Sequence, residues 1–104
     1  MSTHSEDAMY LDAIAEVTFT QLVTASGLPA SELVELVRYG ALIPRNPDAT
    51  AWTFEARWLA VAKKASRLRH DFELDPHGVS VVLSYLERIE ALEEEIRMLR
   101  ARAG

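Results

Sequence analysis

The sequence predicts a mainly α-helical domain. Two short helices meet across a tight turn, a small β-wing follows, and a linking helix leads to a long C-terminal helix. Three observations carry this reading. Thr18 and Gln21 stand at capping-box spacing, and Gly27 closes the segment that they open. Leu33, Leu36 and Val37 recur at i, i+3 and i+4 ahead of Gly40, which gives a second short helix one apolar face. Val82, Tyr85, Ile89, Leu92, Ile96, Leu99 and Ala103 alternate spacings of three and four, the a/d stripe of a helix that pairs.

The elements follow in order. Residues 1–17 form an N-terminal segment. Its first nine residues are polar and expected to be mobile, and Tyr10 to Val17 has room for a short strand or a turn of helix. Residues 18–75 are expected to hold the winged helix-turn-helix with its third helix, and residues 76–104 the C-terminal amphipathic helix. Thr18 caps the first helix. Pro29, tolerated in a first helical turn, restarts the chain after Gly27, so the two helices form a helix-turn-helix. Ala41 to Pro44 and Ala51 to Phe54 are two β-capable runs around a polar loop and read as a hairpin, the wing. Pro44 and Pro47 keep that pairing short. The third helix is expected from Glu55 to Phe72. Asp75 caps the last, with Pro76 at its first position, and that helix runs to about Arg102. Within it Glu93 and Arg97 are placed to pair at i, i+4.

Composition narrows the function. The chain of 104 residues is long enough for one modest core and too short for two lobes around a catalytic cleft. With no cysteine it has no disulfide framework and no thiolate metal site, which is compatible with a reducing compartment. No apolar run approaches a membrane span, and Met1 to Asp12 lacks the basic start of a secretory signal. No nucleophile-base constellation, paired carboxylates or phosphate loop stands out. The reading is therefore of a non-enzyme with no cofactor and no metal. His70 is expected to pack or cap rather than ligate, since His4 and His77 lie at no metal-ligand spacing.

The net charge is −5, and its distribution matters more than its sum. Met1 to Glu55 holds eight acidic and two basic residues, whereas Ala56 to Gly78 holds three acidic and five basic. The half with the helix-turn-helix should repel phosphate and attract a basic partner. A DNA-reading second helix offers Arg, Lys, Asn or Gln to base edges. Here the outward positions are Ser31, Glu32, Val34 and Glu35, with Arg38 alone as a cation near the far end. Lys63, Lys64, Arg67 and Arg69 read as a solvated helix face paired with Asp71 and Glu73. Trp52, Phe54 and Trp58 read as core residues joining the wing to the third helix. Trp52 has a second reading, as a binding anchor.

Thr18 to Pro44, with Gly27 in the turn and Gly40-Ala41-Leu42-Ile43-Pro44 after it, resembles the winged helix-turn-helix of MerR-type regulators. Three later runs are similar to the chaperone modulator CbpM family within that superfamily: Trp52-Thr53-Phe54, Arg67 to Asp75 followed by Gly78-Val79, and Leu92 to Arg102 with Glu95 and Met98-Leu99-Arg100. The resemblance spans about residues 17–102. It implies a small cytoplasmic bacterial protein that binds the J-domain of a DnaJ-like co-chaperone of the CbpA type and inhibits its stimulation of DnaK. On that basis Glu32, Val34, Glu35, Leu42 and Trp52 are the expected partner face, the carboxylates steering a basic helix and the apolar residues forming the centre. Ile89, Leu92, Ile96 and Leu99 are the expected seam of a homodimer. The rival readings are a dimeric MerR-like transcription regulator that binds DNA, and a coiled-coil adaptor.

Overall fold

A computed structural model describes residues 15–104. The elements in chain order are β1 (Glu16–Thr18), α1 (Phe19–Ser26), α2 (Ala30–Arg38), β2 (Thr53–Glu55), α3 (Trp58–Phe72) and α4 (Pro76–Ala103). The expectations for residues 1–14 lie outside the described residues.

The caps read from the sequence are present. Thr18 Oγ1 accepts from Gln21 N at 3.1 Å, and the Gln21 side chain accepts from Thr18 N at 2.8 Å. Gly27 ends α1 at φ 79°, where a Cβ would be strained, and its N–H donates to Val23 O. Pro29 lies one position outside α2 as its N-cap. Asp75 Oδ1 accepts from Gly78 N at 2.8 Å to open α4. Glu73, in the left-handed region at φ 54°, turns the chain out of α3.

The wing is not the expected hairpin. Thr53–Glu55 pairs antiparallel with β1, Val17 opposite Phe54, and the run Ala41 to Pro44 forms no strand. Prolines at 44 and 47 remove ladder donors, and Leu42 and Pro44 turn into the core instead. A backbone bond from Arg45 N to Thr53 O at 2.8 Å joins the residue after the first run to the second run. Asn46 holds the loop between them: its Oδ1 accepts from Thr53 N at 2.9 Å and its Nδ2 donates to Ala51 O at 3.1 Å. Glu16 and Glu55 face one another across the sheet, an unfavourable placement met by Arg45 at 3.6 Å and Arg57 at 2.7 Å. Because β2 extends through Glu55, α3 begins at Trp58 rather than Glu55.

The core lies between α1, α2, β2 and α3 and continues under the first turns of α4. Leu22, Leu33, Leu36, Leu42, Phe54, Ala62 and Ala65 are buried, with Val79 and Leu83 closing it from α4. Phe54 is core as expected, and Trp52 and Trp58 pack against it half-buried. Two of the four cations of α3 pair with other helices rather than with Asp71 and Glu73. Lys64 pairs with Glu90 of α4 at 3.6 Å and Arg69 with Glu32 of α2 at 2.6 Å. His70 is exposed in the last turn of α3, neither packed nor a cap, because the helix ends in a left-handed residue that needs no side-chain donor.

Candidate functional site

Three elements converge on an open groove of about 570 Å³. The start of α1 supplies Phe19 between Thr18 and Thr20, α2 supplies Val34, and the loop before β2 supplies Pro47, Thr50 and Trp52. The indole is fixed in place. Its Nε1 donates to Pro47 O at 3.2 Å, and its ring meets Phe19 and Phe54 edge-on at 6.1 and 6.4 Å between centroids. Half-buried aromatic rings with a satisfied N–H offer apolar surface at small ordering cost. Glu35 stands on α2 beside Val34, half-buried and paired with Arg38 at 3.2 Å, and Asp48 stands exposed on the loop between two groove residues.

The five residues expected on one partner face thus divide. Val34 and Trp52 share the groove, and Glu35 borders it. Leu42 is fully buried and is withdrawn from the face: its apolar neighbours send it into the core, where no partner reaches it. Glu32 is not the free carboxylate expected. Two residues before Val34, it points about 160° away around the helix. There its Oε1 accepts from Arg69 Nε at 2.6 Å. That hydrogen bond, with the charge behind it, holds the Arg69 guanidinium above its ordinary pKa. Phe19 and Pro47 escaped the sequence reading of the face. Phe19 carries no periodic or charge signal in the sequence, and only the fold brings Pro47 beside it.

The second expected site lies on α4. Its first turns pack on the body through Val79 and Leu83, but from Glu87 to the end every residue is exposed. Ile89, Leu92, Ile96 and Leu99 lie on this free stretch, so the stripe is not covered within the described residues of its own chain. Arg97 pairs with Glu94 rather than the expected Glu93, whose charge acts on it only at longer range. Among the described residues no cluster of His, Asp and Glu has the makings of a metal site, and no helix is long and apolar enough to cross a membrane.

The family model for MerR HTH family regulatory proteins matches residues 17–101, a span from β1 through nearly all of α4. The chaperone modulatory protein CbpM of Escherichia coli (strain K12 / DH10B) is 36% identical over 85 residues, covering 82% of this chain and 84% of the relative. The CbpM proteins of Escherichia coli O139:H28 (strain E24377A / ETEC) and Shigella boydii serotype 18 (strain CDC 3083-94 / BS512) match with the same identity and coverage. The chain belongs to the CbpM family. The matched span of this CbpM-family chain includes both the groove and the exposed stripe of α4. The names of the two groupings, regulatory and modulatory, point to non-enzymatic proteins.

Proposed function

We propose that this chain is a chaperone modulator that binds the J-domain of a CbpA-type, DnaJ-like co-chaperone and blocks its stimulation of DnaK in the bacterial cytoplasm. The relatives' shared name supports the chaperone link. The observation that carries the docking face is the convergence of Val34 and Trp52 in one aromatic groove bordered by Glu35 and Asp48. An apolar side chain of the partner enters the groove while its basic neighbours meet the carboxylates, a desolvated centre inside a charged rim. Occupied in this way, the J-domain has no free face for DnaK.

Val34→Asp places a charge in the groove from a partly exposed helical position and leaves the core untouched. It is expected to weaken J-domain binding by at least about 30-fold, the loss of one hot spot. Glu35→Lys is expected to act more mildly, through a slower association that depends less on salt. Titration calorimetry with a purified J-domain checks both, with circular dichroism as the test of folding. A folded Val34→Asp chain that binds and inhibits like the parent would rule out this face.

The same reading includes a homodimer joined through Ile89, Leu92, Ile96 and Leu99. It also includes the absence of sequence-specific DNA binding. Arg38, the cation of α2, is engaged by Glu35, and Arg45 of the wing by Glu16, so little free positive charge faces outward there. Weak retention on heparin and on random duplex DNA at low salt is expected. A preferred duplex bound at nanomolar affinity with a steep salt slope would favour the transcription-regulator reading instead.

A further inference from the structure

The ion pair between Glu32 and Arg69 is the part of the docking helix that the groove does not explain. The two residues are 37 positions apart in sequence and bonded at 2.6 Å, with side chains 26% and 41% exposed. Glu32 lies in the first turn of α2, and Arg69 in the last turn of α3. Each charge therefore complements its own helix dipole as well as its partner. The first turn of α2 has no side-chain cap, because its N-cap residue is Pro29. Of the larger packing interfaces, α2 leans on α4 and α1 on α3. The Glu32–Arg69 bond thus ties the uncapped start of α2 to a helix that it otherwise barely meets.

We infer that Glu32 and Arg69 form an interhelical clasp that sets the position of α2, and with it the position of Val34 in the groove. Glu32 is then a positioning residue, not a partner contact, and Arg69 acts on docking without touching the partner. The effect on partner affinity rests on the docking reading above; the effect on α2 itself does not.

The two roles of Glu32 predict opposite outcomes for Arg69. If Glu32 met the partner directly, Arg69→Ala would free the carboxylate, and binding would hold or tighten. As a clasp, Arg69→Ala loosens α2. It is expected to speed amide exchange over residues 30–38 in the free protein and to weaken J-domain binding about tenfold. Glu32→Ala is expected to match it in both measurements. The charge swap Glu32→Arg with Arg69→Glu is expected to recover much of the exchange protection and the affinity that Glu32→Arg alone loses. Parent-like exchange in both alanine variants would overturn the clasp. So would unchanged or tighter binding by Arg69→Ala, or a swap that restores exchange but binds no better than Glu32→Arg. The alanine variants decide the matter if the swap fails to fold. Val34→Asp in the same binding assay judges the docking face separately: if it binds like the parent, the face is wrong, and the exchange data alone decide the clasp.

Discussion

A chain carrying both Leu92→Asp and Leu99→Asp is expected to sediment as a monomer at concentrations where the parent is a dimer. Leu92 and Leu99 are 53% and 56% exposed, on the part of α4 beyond Glu90, where every residue to the end of the helix is exposed. An isolated helix shorter than ~12–15 residues is marginal in water, and most helical stability in proteins comes from packing of an apolar face. The free stretch is of about that length, so a second copy of the stripe is the natural support. Two aspartates per helix put four carboxylates into one seam, where each loses hydration without gaining a partner. The dissociation constant should rise by at least about a hundredfold, since each seam Leu buries ~1.5–3 kcal/mol of transfer free energy. Sedimentation equilibrium over a concentration series reads the change. Circular dichroism should show helix lost from α4 alone, because Val79 and Leu83 still hold its start. A parent chain that is monomeric throughout, with the variant unchanged, would refute the seam.

Phe54→Ala is expected to cost about 3–5 kcal/mol, the usual range for an aromatic core truncation. Phe54 has no exposed surface, faces Val17 across the sheet and meets Trp52 edge-on, so its ring joins the strand pair to the helical core. Domains of this size have ~5–15 kcal/mol to lose, and the midpoint of thermal unfolding should fall by roughly 12 °C or more. Phe72→Ala is the matched control: Phe72 is 66% exposed at the end of α3, and its loss should shift stability by less than about 0.5 kcal/mol. Urea unfolding of the two variants beside the parent separates them, and equal shifts would contradict the placement of Phe54 at the centre of the core.

These expectations draw unevenly on sequence and structure. The self-association stripe was visible as a spacing, and the structure added that α4 leaves it uncovered. Phe54 was read as core from its place beside Trp52 and Trp58, but its opposite number Val17 was not foreseen. The groove shows the same division. Val34 and Trp52 were named from helix phase and residue type, whereas Phe19 and Pro47 join them only after β2 has paired with β1 and carried the loop across α1.

What the sequence determined by itself is what neighbours in the chain decide. The capping box of Thr18 and Gln21, the left-handed stop at Gly27, the Asp75-Pro76 start of α4 and the i, i+3, i+4 face of α2 each lie within one or two helical turns. Side-chain hydrogen bonds and glycine's freedom at positive φ act over that distance. Tertiary structure decided the contacts that close long loops. It gave β2 a partner 37 residues away in β1, took Leu42 into the core and drew Glu32 to Arg69. A strand's hydrogen-bonding edge accepts any strand in register, and a carboxylate accepts any cation within reach. The local pattern around Thr53 or Glu32 is therefore the same whichever partner arrives, and the choice is made by how the apolar faces of α1, α2 and α3 pack together.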